Sequence, residues 1–163
     1  ISYIESFYLG GWLNEPFTST KDYYDNNSFC MEVAASGCLR ILYEQAGREI
    51  ICTPEGASCY PIEEYETLTK EMYGFSLPCT ASASCPEGMA EMPYGYGAQM
   101  TDIRILPEHA FLKDGIVHVV AELLWKDYGM PPEPIGYLEY QFQYPNTYTF
   151  FPYTLLSISE IEL

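Results

Sequence analysis

From Thr101 to Leu163 apolar and polar residues settle into a two-residue period, the signature of strands whose successive side chains point to opposite faces. In Ile116–Lys126, Val117, Val119, Ala121, Leu123 and Trp125 share one face, and Ile116, His118, Val120, Glu122 and Leu124 the other. Both faces are largely apolar, which predicts a central strand. Thr101–Leu106 is a shorter β-prone run, and Lys113-Asp114-Gly115 carries the Asp-Gly signal of a hairpin. In Gly136–Tyr144, Leu138, Tyr140, Phe142 and Tyr144 alternate against Tyr137, Glu139, Gln141 and Gln143, predicting one core face and one wet face. Pro145-Asn146 supplies turn chemistry, and Thr147–Ile158 is the fourth strand. Pro152 cannot donate to a ladder, so that strand lies at an edge or breaks there. The prediction is an antiparallel meander over 99–163.

The first 98 residues follow a helical period. Ile4, Phe7 and Tyr8 suggest a short helix over Ser2–Leu9, stopped by Gly10-Gly11, and Asn14–Asn27 reads as loop. From Ser28, the residues Cys30, Val33, Ala34, Gly37, Cys38, Ile41 and Leu42 form a helical stripe, with Gly47 at the left-handed exit. Gly37 and Ala34 on that stripe would let the helix approach the sheet closely. Ile50-Ile51-Cys52 and Ser58–Tyr60 pair as a short hairpin across Pro54-Glu55-Gly56. A further helix starts at Pro61 as N1, carries Glu63 and Glu64 in its first turn and Lys70 near its end, and stops at Gly74. Its inward stripe is Ile62, Tyr65, Leu68 and Met72. Phe75–Tyr96, rich in Ser, Pro, Gly and Cys, reads as a long ordered loop stapled by cysteines.

This order predicts one α+β domain over 1–163, with helices packed on one face of a curved antiparallel sheet of four or more strands. It resembles the NTF2-like, or cystatin-like, α+β fold, whose members end in such a meander after a third helix. The resemblance covers most of the chain in order of elements. It implies a fold that serves isomerases, dehydratases, transport factors and non-catalytic secreted domains alike. No motif matches on which catalytic residues could be carried over.

Charge narrows the partners. Seven Lys plus Arg stand against 23 Asp plus Glu, a formal charge of -16 that opposes nucleic-acid phosphates and anionic lipid. No apolar run approaches the roughly 20 residues of a membrane span, so no membrane insertion is expected. The chain opens at Ile1 without a basic n-region, as a mature domain trimmed from an exported precursor would. Six cysteines, all between Cys30 and Cys85, fit disulfides formed in an oxidising compartment. Cys52 with Cys59, and Cys79 with Cys85, would close short loops. Cys30 and Cys38, eight residues apart on a helix and so about 12 Å distant, are beyond disulfide reach.

Few reactions find their residues. Gly74-Phe75-Ser76-Leu77-Pro78 is no nucleophile elbow, because it ends in Pro and no strand precedes it. Cys52-x6-Cys59 and Cys79-x5-Cys85 are too widely spaced for a zinc site, and Asp22–Asn27 lacks the spacing of a calcium loop. No metal and no cofactor is expected. His118 and Glu122 share a strand face but lie about 13 Å apart, too far to ligate one ion. General acid and base work would need His118, Glu122, Asp102, Tyr140 and Tyr137 around a pocket on the concave face of the sheet. If Val117–Trp125 faces the helices, His118 and Glu122 fall outside it.

The 16 tyrosines either fill core and sheet positions or serve recognition, since Tyr offers a stacking face and a hydroxyl at low entropy cost. Tyr94 and Tyr96, on the Pro- and Gly-rich loop Met92–Gly97, are with Tyr137 the candidate ligand-binding rings. The expectation is a secreted or surface-exposed, non-catalytic binding module for a protein or glycan partner. Two alternatives are an isomerase- or hydratase-type enzyme with an NTF2-like pocket, and a structural homodimer formed through the second apolar face of Ile116–Lys126.

Overall fold

The structure is a computed structural model that describes residues 12–93, 101–144 and 147–163. The expected helix Ser2–Leu9, the loop tip with Tyr94 and Tyr96, and the Pro145-Asn146 turn lie outside the described residues. Among the described residues, two α-helices and two antiparallel sheets make an α+β fold. Helix α1 spans Thr20–Gln45 and α2 spans Ile62–Tyr73. The smaller sheet joins β1 (Ile51–Cys52), β2 (Ser58–Pro61) and β3 (Met89–Glu91). The larger contains β4 (Thr101–Ile105), β5 (Phe111–Lys113), β6 (Ile116–Trp125), β7 (Glu133–Gln143) and β8 (Thr154–Ile161).

Helix α1 begins eight residues before the expected Ser28. Ser19 caps it, its hydroxyl accepting from the Asp22 N–H at 3.4 Å, and Asp22 complements the dipole in the first turn. The polar run Thr20–Asn27 hides this turn from a hydrophobic period. Asn27 has non-helical backbone (φ -137°, ψ 35°) and its amide donates to the Tyr23 carbonyl, so the helix kinks where the apolar stripe resumes. Val33, Ala34 and Cys38 of the expected stripe are buried, and Met31, Ala35, Ser36, Leu39 and Tyr43 join them, so the buried face is wider than expected and turned partly round from it. Gly37 is exposed, and a Cβ there would meet nothing within 4 Å among the described residues, so it makes no close approach to the described sheet. Gly47 does take the left-handed exit (φ 66°).

Across the hairpin, Ile51 faces Cys59 and Cys52 faces Ser58. Neighbouring residues of a strand point to opposite faces, so the Cys52 and Cys59 sulfurs lie on opposite sides of the ribbon. Cys59 instead forms a disulfide with Cys85, while Cys30, Cys38, Cys52 and Cys79 are free. This corrects both expected pairings. The stapled segment is not all loop, since β3 adds to the far edge of β2. Pro61 is the N-cap of α2 rather than its first turn, Tyr65, Leu68 and Met72 are buried as expected, and Gly74 closes the helix at φ 84°.

In the larger sheet β6 is central, flanked by β4 and β5 on one side and β7 on the other, and β8 follows β7. Asp114 (φ 51°) and Gly115 (φ 78°) form the two-residue β5–β6 turn that the Asp-Gly pair predicted. β5 is a fifth strand within the expected four or more, one for which the residue pattern gave no range. β8 starts seven residues later than predicted, because the N–H groups of Thr149, Phe150 and Phe151 bond the Glu71 carboxylate of α2 instead of a neighbouring strand. Its free edge is partly closed by Phe17, which exchanges two backbone hydrogen bonds with Ile158.

The core lies between the helices and one face of this sheet. Val119, Ala121, Leu138, Phe142, Leu155 and Ile158 meet Leu39, Leu68, Met72 and the buried tyrosines. Burying each Leu or Phe contributes about 1.5–3 kcal/mol. Tyr23, Tyr43, Tyr60, Tyr65, Tyr73 and Tyr140 are all buried, which accounts for much of the tyrosine content as core. Their hydroxyls need partners there: Tyr140 donates to the Leu13 carbonyl at 2.6 Å and Tyr73 to the Met31 carbonyl at 2.9 Å.

Candidate functional site

β6 decides where the acid-base candidates stand. Val119 and Ala121 face the helices, so His118 and Glu122 lie on the opposite, outer face. There the His118 Nδ1 meets the Glu139 Oε1 at 3.0 Å, and its ring lies flat against Phe111, centroids 4.3 Å apart and planes 7° apart. Gln141 donates to the same Glu139 oxygen at 2.8 Å. Glu122 is buried among neighbouring side chains and takes a hydrogen bond from the Arg104 guanidinium. Asp102 pairs with Lys126 at the end of the sheet. Tyr137 sits half-buried on the outer face, opposite Glu122 on β6 and Ile161 on β8.

Tyr140 projects into the core on the other side of the sheet, where burial pushes its phenol up. The five residues thus divide between two faces, with each outer carboxylate already paired. The same outer face was the expected homodimer surface, and its Ile116, Val120 and Leu124 alternate with His118 and Glu122. Tyr94 and Tyr96 lie outside the described residues. Cys38 is a buried thiol whose desolvation raises its pKa, and half-buried Cys30 and Cys79 are raised in the same way, the reverse of an activated nucleophile. Among the described residues no group of His, Cys, Asp and Glu is gathered to hold a metal.

Four exposed large apolar residues stand in and beside the connection between β6 and β7. Trp125 is 41% exposed, Met130 65%, Ile135 54%, and Tyr128 fully so. The loop is held in shape: the Asp127 carboxylate accepts from the Tyr128 N–H at 2.8 Å, the Met130 N–H returns to the Asp127 carbonyl at 3.1 Å, and Gly129 takes φ 78°. Pro131 and Pro132 stiffen the descent into β7. A cleft of about 540 Å³ opens beside Trp125 and Met130, with Asp127 and Glu133 on its rim. Sequence reasoning passed over this segment, although Tyr-Gly-Met-Pro-Pro between two strands carried the signal: apolar residues where a polar turn is usual.

No family model, curated protein or solved structure matches the chain.

Proposed function

We propose that this chain is an exported, non-catalytic binding module that docks a protein partner through the β6–β7 tip. The observation that carries the reading is the display of Trp125, Tyr128, Met130 and Ile135 on one stiffened hairpin end. Aromatic and Met side chains of this kind are what interface centres are enriched in. Asp127 and Glu133 beside the cleft, within a chain of formal charge -16, select a partner whose apolar contact surface has a basic rim. The partition of His118, Glu122, Asp102 and Tyr140 across two faces supports the non-catalytic part. Export is supported by the Cys59–Cys85 disulfide, and no helix among the described residues is long and apolar enough to cross a membrane. The NTF2-like assignment rests on the same order of elements, helices first and the antiparallel meander last.

Affinity capture from the native extracellular fluid tests this with paired variants. Wild-type chain and Phe111→Ser should retain the same protein, and the double variant Tyr128→Ser/Met130→Ser should lose it at unchanged melting temperature. Equal retention by the double variant contradicts the reading, as does turnover of a small molecule that Glu122→Gln abolishes.

A further inference from the structure

One stripe of α1 lies outside the main core cluster, with Val33 and Ser36 buried in it and Phe29, Gly37 and Arg40 exposed. Phe29, Glu32, Val33, Ser36, Gly37 and Arg40 recur at the i, i+3, i+4, i+7, i+8, i+11 spacing of a single helix face. They form one wall of two adjoining clefts, of about 680 and 450 Å³, which share Met92 and Pro93. The opposite wall is the β1–β2 turn, with Glu55, Gly56 and Ser58, and the end of β3 at Glu91. Together they make a groove running along the helix.

Its two ends differ in charge. At one end stand Glu32, Glu55 and Glu91, with the half-exposed Phe29 ring held edge-on by Trp12. Tyr24 donates to Glu32 and Ser82 to Glu91, and no cation among the described residues pairs with any of the three. Burial raises the Glu32 carboxyl. At the other end is Arg40. Arg48, Arg104 and Lys126 each pair with a carboxylate, but Arg40 pairs with none among the described residues and instead donates to the Ser58 hydroxyl at 3.2 Å. Ser36 on α1 and Ser58 on the facing wall are buried hydroxyls lining the same cleft. The buried Tyr60 phenol, which meets no well-formed hydrogen-bond geometry among the described residues, lies beside Arg40 and Ser58. An unpaired guanidinium over hydroxyls, in a chain with a large excess of carboxylates, is a ready anion seat.

We propose that this groove binds a short extended peptide, its C-terminal carboxylate on Arg40 and Ser58 and its cationic end between Phe29 and Glu32. Glu32 and Arg40 are eight helix positions apart, about 12 Å. At about 3.3–3.6 Å per residue an extended chain covers that distance in three to four residues. The Phe29 face adds a cation–π contact to an ammonium. Among the described residues Gly37 leaves the middle of the groove open, since none of them lies within 4 Å of where its Cβ would be. None of these residues belongs to the β6–β7 tip, so the two sites stand or fall separately.

The test is amide NMR titration with the tetrapeptide Lys-Gly-Gly-Ala and its C-amidated twin. The free acid should shift the amides of Ser36, Gly37, Arg40 and Ser58, and the amidated peptide should bind at least tenfold more weakly. Gly37→Leu, at an exposed helical position with room for a side chain, should keep the fold and abolish the shifts. Arg40→Lys should weaken binding less than Arg40→Ala. Equal binding of the two peptides, undiminished binding by Gly37→Leu, or no shift at these amides with the free acid at millimolar concentration would each overturn the proposal.

Discussion

The two faces of β6 look alike in sequence and do different things in the fold. On the inner face Val119 and Ala121 are fully buried against the helices, where van der Waals contact and the loss of apolar surface to water stabilise the chain. On the outer face Val120 and Glu122 are almost as inaccessible, and they lie among the Arg104–Glu122 and His118–Glu139 pairs of the sheet. Apolarity on both faces of a strand therefore reports a central position within the sheet.

Substitutions on the two sides should separate these situations. Phe142→Ala, which empties a fully buried site, should cost about 3–5 kcal/mol in denaturant unfolding, because a cavity is added to the lost transfer energy. A cost under about 1 kcal/mol would mean that the inner face is not tightly packed.

High pH should act next, and again through the inner side. Tyr43 is pushed up to about 12, mainly by burial and by its bond to Glu64, and Tyr65, Tyr73 and Tyr140 are raised by burial too. A phenol whose folded pKa exceeds its unfolded value of about 10 stabilises fully below that pH and loses its contribution above it. Unfolding free energy should thus hold steady to about pH 10 and fall towards pH 12, and phenolate absorbance should lag behind that of the unfolded chain. A tyrosine titration identical in folded and unfolded protein would contradict the burial of these hydroxyls.

The smallest effect belongs to the outer face. Arg104 is largely exposed but its partner Glu122 is buried, so Arg104→Ala should cost about 1–3 kcal/mol, less than emptying the core, with the difference shrinking in high salt. A loss comparable to that of Phe142→Ala would show that the outer face, too, is a core.

How much could be read in advance follows the same division between local and distant causes. β6 was legible almost residue by residue and β7 from Gly136 on, three residues after its start, because alternation is set by the strand itself and Asp114-Gly115 fixes the turn before β6. The start of α1 was not, since its signals were a Ser19 cap and an acidic first turn rather than an apolar stripe. β8 was misplaced because Glu71, more than 75 residues upstream, captures three of the N–H groups that a strand would have used. The Cys59–Cys85 pairing depends on a loop folding back beside β2, information that cysteine spacing does not hold. The site was less legible still. His118 and Glu122 were rightly placed on one strand face, but which face met the helices depended on the packing of the whole chain. The groove needed three elements to be assembled, whereas the β6–β7 tip could have been noticed from Tyr128, Met130 and two prolines alone.

Docking through that tip is tested most directly by site-specific photocrosslinking in the native extracellular fluid. A photoreactive residue in place of Tyr128 should yield a crosslink to one protein, and the same residue in place of Phe111, half-exposed on the outer sheet face, should yield none. A crosslink from position 111 with none from position 128 would contradict docking through the tip and move the contact to the outer face of the sheet.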